Sequence, residues 1–264
     1  MDLGLKGKFA VITGSTAGIG LAIANTLAAE GAQVIINGRT QARVDSALAK
    51  IRQNTASAVV RGVAADLSSA AGVSAFTAQV PNADILINNV GIFEPKPFAE
   101  ISDADWLRFF EINVMSGVRL SRHYLPGMLK KNWGRIVFIS SESGQQIPAE
   151  MIHYGMTKTA QIAIARGLAE SVAGTGVTVN SVLPGPTDSE GVGTFVQDLA
   201  KQQGVSRAEF EKMFFANVRP TSLLKRFETP EEIAAVVAFV ASTQAVTING
   251  AAVRAEGGVV RSIV

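Results

Sequence analysis

The chain has 264 residues, of which 47% are hydrophobic and 17% charged, a composition that fits one large globular domain and excludes a disordered chain. The formal net charge is only +2 and the basic residues are scattered, so no cluster is present that would follow the phosphates of a nucleic acid. The sequence contains no cysteine, which rules out disulfides and cysteine-ligated metals.

Short apolar runs alternate with longer helical patterns and predict seven strands with helices between them. The predicted strands, in chain order, are 8–13, 33–37, 58–66, 84–89, 134–140, 176–183 and 251–257. The predicted helices are one that ends at Glu30, then 40–54, 68–79, 102–131, 151–173 and 229–242, with short helical pieces at 195–199 and 210–215. Continuous Val and Ile runs favour parallel strands that are buried on both faces. We therefore predict a single α/β domain over 1–264, a doubly wound, mostly parallel, seven-stranded Rossmann-like sheet with helices on both faces.

Local signals mark two of the helix starts. Ser102 and Asp105 match the S-x-x-D capping pattern at the start of the long helix 102–131, and Pro126 is expected to kink that helix. Thr229 followed by Pro230 predicts a capped start for the helix near the end of the chain.

The first strand ends in TGSTAGIG, which predicts a dinucleotide site. Gly14, Gly18 and Gly20 precede a helix, and ligands of doubly wound sheets bind beyond the carboxyl ends of the strands. Glycines let the backbone approach a pyrophosphate, which the free N–H groups of a helix N-terminus attract. An isolated glycine triplet is often a plain turn, but its place at the first strand–helix junction favours the dinucleotide interpretation. No Lys-Ser/Thr pair follows Gly20, so a Walker-type phosphate loop is excluded.

The end of the second strand, NGRT, favours NADP(H) over NAD(H). An acidic residue at this point would bond the ribose 2′-hydroxyl of NAD, but Asn37, Gly38 and Arg39 include no carboxylate. The guanidinium of Arg39 can pair with a 2′-phosphate through two hydrogen bonds. The alternative is a solvated arginine at a helix start, in which case NAD(H) is the competing cofactor.

The stretch HYGMTK, 153–158, places Tyr154 and Lys158 one helical turn apart on the same face, at about 5–6 Å. A free phenol has a pKa near 10, and an opposite charge at this distance lowers it by roughly 1–3 units. The pair therefore predicts a phenol whose pKa is brought towards working pH for acid/base catalysis. A surface pair without function is the alternative.

In chain order, TGSTAGIG, Asp66, NNVG, Asn113, Ser141, Tyr154-x-x-x-Lys158 and PGPT resemble the short-chain dehydrogenase/reductase family over essentially the whole chain. The resemblance implies hydride transfer between NADP(H), or NAD(H), and a carbonyl compound or secondary alcohol. It implies Tyr154 as general acid/base and Lys158 as its electrostatic partner and ribose clamp. It also implies that Ser141 orients the substrate oxygen and that Asn113 holds a proton-relay water.

The same resemblance implies a cofactor-binding set at the carboxyl ends of the strands. Its members are Gly14, Ser15, Gly18, Ile19, Gly20, Arg39, Asp66, Leu67, Asn89, Gly91, Tyr154, Lys158, Pro184, Gly185 and Thr187. Within this set, the glycine turn is expected to meet the pyrophosphate, Asp66 the adenine and Asn89 the adenosine ribose. The PGPT turn is expected to approach the nicotinamide.

The segment 187–226 is expected to set substrate specificity. Phe93, Phe195, Phe214 and Phe215 either belong to the core or form an apolar lid over a bulky apolar substrate.

The remaining expectations concern partners and location. His123 and His153 are far apart in the sequence, so no metal site is expected. We expect a cytoplasmic protein without a membrane or nucleic-acid partner, because neither a signal-peptide pattern nor an uninterrupted apolar run of spanning length is present. The resemblance implies a homotetramer or homodimer. A catalytically idle nucleotide-binding or scaffold protein is the alternative from a different class, and the intact Ser141, Tyr154 and Lys158 set argues against it.

Overall fold

The computed structural model describes residues 1–263, apart from the side chains of Thr194 and Phe195. Seven strands form one sheet in the order β3-β2-β1-β4-β5-β6-β7, and every neighbouring pair is parallel. The strands are β1 (Phe9–Ile12), β2 (Gln33–Gly38), β3 (Val60–Ala64), β4 (Ile85–Asn88), β5 (Gly134–Ile139), β6 (Val177–Pro184) and β7 (Ala252–Ala255). The predicted fold class is confirmed.

Helices connect the strands and cover both faces of the sheet. They are α1 (Gly18–Ala29), α2 (Gln41–Asn54), α3 (Ala70–Gln79), α4 (Asp103–Phe110), α5 (Ser116–Lys131), α6 (Ile152–Ser171), α7 (Glu190–Gln202), α8 (Arg207–Asn217) and α9 (Pro230–Val240). Among the residues described, none of these helices is long and apolar enough to cross a membrane.

Two hydrophobic cores lie on opposite faces of the sheet. Ala10 and Ile12 of β1 join one core, which α1, α2 and α9 complete, whereas Val11 joins the other, which α3, α5 and α6 complete. Successive side chains of a strand point to opposite faces, so a strand between two helical layers is apolar at every position. The continuous Val and Ile runs of the sequence follow from this arrangement.

The predicted helix 102–131 is helical from Asp103 to Lys131, but it contains a π turn that was not predicted. The chain forms α4, then a π-helical turn at Glu111–Met115, and then α5. Pro126 lies inside α5, and the kink expected there stays a prediction. A π turn has no compositional signal comparable to proline, which explains why the sequence did not reveal it. The capping box of Ser102 and Asp105 is confirmed.

The segment after β6 is more helical than predicted. The pieces expected at 195–199 and 210–215 are the middle parts of α7 and α8. These helices carry a third, smaller apolar cluster, formed by Val196, Ala200, Phe210, Phe215 and Phe227. We call residues 190–217 the lid helices.

Candidate active site

A cavity of about 740 Å³ lies at the carboxyl ends of the strands, below the lid helices. Most of the predicted site residues line it, namely Gly18, Ile19, Gly20, Asn89, Gly91, Ser141, Tyr154, Lys158, Pro184, Gly185 and Thr187. The fold therefore brings together residues that are up to 169 positions apart in the chain. Phe93 and Phe214 also line the cavity, whereas Phe215 packs inside the lid cluster and the side chain of Phe195 lies outside the described residues.

The N-terminus of α1 opens into this cavity without a side-chain cap. Ala17 supplies no capping hydrogen bond and the first turn contains no acidic residue, whereas Thr40 and Ser69 cap α2 and α3. The first N–H groups of a helix need an acceptor, and the helix dipole favours an anion there. The end of α1 thus fits the pyrophosphate of a dinucleotide.

The glycine turn packs too closely for larger residues. A Cβ atom at Gly20 would lie 2.5 Å from both the Asn89 Nδ2 and the Gly14 carbonyl oxygen, and Gly14 has a φ of +58°. Ser15 does not line the cavity, because its Oγ donates to the Ile12 carbonyl at 2.7 Å inside the turn. The Ser15 N–H also donates to the Asn37 carbonyl at 2.9 Å, so Ser15 holds the turn against β2.

The residues predicted to meet the adenosine part lie at the ends of β2 and β3. Arg39 and Asp66 are exposed, and Leu67 is buried in the core. Hydrogen bonds from Ser68 hold the pKa of the Asp66 carboxyl below its usual value, and the charge of Arg39 acts in the same direction. These three residues do not line the cavity.

A second arginine, which sequence reasoning missed, lies beside the glycine turn. The Arg43 Nε donates to the Thr16 Oγ1 at 3.4 Å, and its Nη2 contacts the Glu190 Oε1 at 3.0 Å. The available signal was its position in the first turn of α2, four residues after Arg39 in the sequence.

Tyr154 and Lys158 lie in the first turns of α6, as their spacing predicts. The Lys158 Nζ is 5.5 Å from the centroid of the Tyr154 ring. It donates hydrogen bonds to the Ile139 carbonyl at 2.9 Å and to the Gln161 Oε1 at 3.3 Å. Burial lowers the pKa of the Lys158 ammonium to about 8, and the negative charge of Glu142 opposes that change.

The prediction that the pKa of Tyr154 is lowered is wrong for this structure. Burial raises the pKa of the phenol and the charge of Glu142 acts in the same direction, while a hydrogen bond with Ser141 and the charge of Arg219 oppose them. The sequence showed the lysine but not the burial or the carboxylate, which arise from tertiary structure. At neutral pH Tyr154 is therefore a protonated phenol, the form that donates a proton.

A buried ion pair adjoins Ser141. The Ser141 Oγ donates to the Glu142 carboxylate, whose other oxygen accepts from the Arg219 Nε at 3.1 Å. Arg219 also contacts the Glu150 Oε1 at 3.2 Å. Glu142 and Arg219 both line the cavity. They are 77 positions apart in the chain, which explains why no sequence pattern indicated the pair.

Asn113 lies within the π turn and connects it to its surroundings. Its Oδ1 accepts from the Ile92 N–H at 2.8 Å, and its Nδ2 donates to the Ile92 carbonyl at 3.0 Å and to the Thr157 Oγ1 at 2.9 Å. Its main-chain oxygen accepts from the Gln161 Nε2 at 2.6 Å. Asn113 does not line the cavity, but a Cβ atom at Gly91, which does, would lie 3.5 Å from the Asn113 Oδ1.

Glu228 lies behind the turn Pro184–Gly185. Its Oε2 accepts from the Gly185 N–H at 3.0 Å, and only 5% of the residue is exposed. Burial raises the pKa of the Glu228 carboxyl to about 7, and the charges of Glu142 and Glu256 act in the same direction. This titrating carboxyl therefore contacts the turn that is expected to approach the nicotinamide.

Of the two histidines, one is buried and the other is exposed. His153 is fully buried, with its ring centroid 4.0 Å from that of Phe109, and the His123 Nε2 lies 3.2 Å from the Pro81 carbonyl. In the described part of the chain, no three His, Cys, Asp or Glu side chains are grouped so that they could hold a metal ion.

This fold and site define a nucleotide-binding oxidoreductase with a Rossmann fold, and comparisons with known proteins give the family. A sequence model of the short chain dehydrogenases matches residues 8–200. The oxidoreductase YvaG of Bacillus subtilis (strain 168) is 48% identical over the whole of both chains. The D-beta-hydroxybutyrate dehydrogenase of Cupriavidus necator is 34% identical over 96% of this chain and 98% of that protein. L-Sorbose reductase from Gluconobacter frateurii, in a crystal structure with NADPH and L-sorbose, is 32% identical and has a TM-score of 0.94 over 100% of both chains. The chain belongs to the short-chain dehydrogenase/reductase family.

Proposed function

We propose that the protein is an NADP(H)-dependent reductase that interconverts a carbonyl compound and a secondary alcohol, with Tyr154 as the general acid/base. One observation carries the proposal: Ser141, Tyr154 and Lys158 line the same cavity as the uncapped N-terminus of α1. An anionic dinucleotide and a proton donor would therefore meet in one space. The NADPH bound to the similar L-sorbose reductase supports the choice of cofactor.

The chain provides separate contacts for each part of the cofactor. The N–H groups of α1 would hold the pyrophosphate, and Pro184, Gly185 and Thr187 would border the nicotinamide. Two of the three N–H groups of Lys158 already have protein acceptors, which leaves one for a ribose hydroxyl. When bound, the nicotinamide supplies or accepts the hydride.

The protein itself handles the proton. In reduction, the phenol of Tyr154 donates its proton to the carbonyl oxygen. The Ser141 Oγ would orient that oxygen once its single hydrogen, which the Glu142 carboxylate accepts in this structure, turns to the substrate. The buried ammonium of Lys158 stabilises the phenolate that results. The raised pKa of Tyr154 keeps the donor protonated at neutral pH.

The walls of the cavity indicate a substrate with an apolar part. Leu199, Phe210, Met213 and Phe214 of the lid helices face it. We further propose that the protein is cytoplasmic and that it forms a homotetramer or a homodimer. Light scattering tests the oligomeric state. A panel of ketones, aldehydes, quinones, 3-oxoacyl thioesters and ketoses would identify the substrate class.

Replacing Tyr154 with phenylalanine should abolish turnover and leave NADPH affinity nearly unchanged. The substitution removes only the hydroxyl that transfers the proton, so we expect the rate of NADPH oxidation to fall by about 10²–10⁴-fold or more. The chain has one other tyrosine, Tyr124, whose hydroxyl donates to the Val80 carbonyl at 2.8 Å away from the cavity. Tyr124→Phe is the matched control and should retain turnover. Unchanged turnover in Tyr154→Phe would refute the proposed role.

Replacing Arg39 with alanine tests the preference for NADP(H). Loss of a charge-assisted contact with the 2′-phosphate should weaken NADPH binding by about 10–100-fold, with NADH binding unchanged. Fluorescence titration with both cofactors gives the two dissociation constants. Arg43→Ala, measured in parallel, shows whether the neighbouring guanidinium contributes.

If wild-type protein binds NADH more tightly than NADPH, the NAD-dependent alternative is supported instead. Tight NADPH binding without turnover of any substrate in the panel would favour the idle nucleotide-binding alternative.

A further inference from the structure

The side chain of Gln161 lies between two of the proposed catalytic residues. It is on α6, three residues after Lys158, and only 2% of it is exposed. Its Nε2 donates to the Asn113 main-chain oxygen at 2.6 Å, and its Oε1 accepts from the Lys158 Nζ at 3.3 Å. One amide group thus joins the ammonium to the main chain of the π turn.

The main-chain oxygen of Asn113 lies in the π turn and receives a donor from another helix. The π turn spans Glu111–Met115, and such turns are often found at functional sites. The short distance to the Gln161 Nε2 shows that the amide is a full hydrogen-bond partner of the turn.

We propose that Gln161 is a positioning residue of the active site, whose amide couples the ammonium of Lys158 to the main chain of Asn113 and so fixes the ammonium beside Tyr154. The inference rests on the proposed function, because it takes Lys158 as a catalytic residue. Ile139 and Gln161 together take two N–H groups of Lys158, and these two acceptors set the direction of the third.

A purely structural role for Gln161 does not account for both contacts. Another hydrogen bond already attaches the π turn to α6, because the Asn113 Nδ2 donates to the Thr157 Oγ1 at 2.9 Å. The Gln161 amide adds a contact with the ammonium, which packing alone does not require. An apolar side chain of similar length would fill the same space and would lose both hydrogen bonds.

The electrostatic environment of Lys158 makes the inference measurable. The groups that act on its ammonium are Glu142, on the turn after β5, and the neutral phenol of Tyr154, while Arg219 offsets the charge of Glu142. Burial has already lowered the pKa of Lys158 to about 8, within a range that is easily titrated. Removal of the Gln161 acceptor should therefore lower the pKa of Lys158. A negative charge in its place should raise that pKa.

The test is an NMR titration of the whole protein with isotope-labelled lysine Cε, in which the Lys158 signal is assigned by its loss in Lys158→Met. In Gln161→Met the ammonium loses an acceptor, and the pKa of Lys158 should fall by roughly one unit. In Gln161→Glu a carboxylate faces the ammonium, and the pKa should rise by roughly one unit. Gln79→Met, which alters an exposed glutamine bonded to Ala75 of its own helix, is the matched control and should leave the titration unchanged.

Opposite shifts in the two Gln161 variants support the proposal, and a titration like that of the wild type in both overturns it. If Gln161→Met does not fold, Gln161→Glu, which preserves the size of the side chain, is sufficient as a test. A raised pKa of Lys158 in that variant supports the proposal, and an unchanged pKa overturns it. The titration requires neither substrate nor cofactor, so a failure of the proposed reductase activity would be recognised separately. Where turnover is measured, the alkaline limb of kcat should move with the pKa of Lys158.

Discussion

Glu228 shows how a single residue links the stability of the chain to its proposed site. Its carboxyl accepts a hydrogen bond from the Gly185 N–H, and its pKa is raised from 4.5 to about 7, chiefly by burial. Between these two values, the folded chain binds more protons than the unfolded chain. The free energy of unfolding therefore falls as the pH rises from about 4.5 to 7, and the stabilisation present at low pH is lost above the folded pKa.

Replacing Glu228 with glutamine should remove this loss of stability. The neutral amide occupies the same volume and still offers an acceptor to Gly185, so the variant should gain about 2–3 kcal/mol over the wild type above pH 7 and little below pH 4.5. Urea unfolding at about pH 5 and pH 8 measures the difference. Glu231→Gln, on the exposed first turn of α9, is the control. An equal difference at both pH values would contradict this interpretation of Glu228.

At the residue scale, the sequence predicts the functional groups that are close together in the chain. Tyr154 and Lys158 are related by one helical turn, so their distance follows from helix geometry alone. Glu142 and Arg219 meet only because β5 and the segment after α8 reach the same cavity. Gln161 was missed for the same reason, since its partner Asn113 is 48 positions away in the chain.

The lid helices are an element with a core of their own. Phe215 is buried in the cluster, with ring centroids 5.1 Å from Phe214 and 5.2 Å from Phe227. The cluster is separate from the two cores that flank the sheet. The lid helices can therefore lose order without the unfolding of the sheet.

Replacing Phe215 with alanine should destabilise the lid helices and leave the sheet intact. The cavity left by the ring costs about 3–5 kcal/mol locally, so hydrogen exchange of the amides in α7 and α8 should accelerate by about 10²-fold or more. The KM of a bulky substrate should rise, because those helices form the cavity wall. Phe76→Ala, in a core beside the sheet, is the contrasting variant and should lower the main unfolding transition. Uniformly faster exchange in Phe215→Ala would show that the lid is not a separate unit.

Element boundaries were predictable where the chain carries a local signal. Ser102 and Thr229 start α4 and α9 with capping boxes, as their sequences indicate. The start of α8 also carries such a signal, since Ser206 and Glu209 form a capping box that the sequence reasoning overlooked. The π turn has no comparable local signal.

At the scale of the whole molecule, the order of the strands explains why the site lies where it does. β1 pairs with β2 on one side and with β4 on the other, so the chain reverses its winding direction between β1 and β4. The helices that follow β1 and β4 pack on opposite faces of the sheet, which leaves a crevice between the ends of these two strands. The crevice receives the glycine turn from β1 and the Asn89–Gly91 turn from β4. The fold was predictable because strands between two helical layers must be apolar throughout, and that pattern is visible in the sequence.

The position of β7 after all the other strands has a consequence for how the protein folds during its synthesis on the ribosome. The Ala255 carbonyl accepts from the Gly185 N–H, and the Gly257 carbonyl accepts from the Leu223 N–H at 2.7 Å, so residues near the end of the chain secure both the PGPT turn and the return from the lid helices. A nascent polypeptide that has emerged only as far as α9 already carries every proposed catalytic side chain. The acceptor carbonyls of Ala255 and Gly257 are then still inside the exit tunnel. Enzymatic competence should then arise only after β7 has emerged and paired with β6.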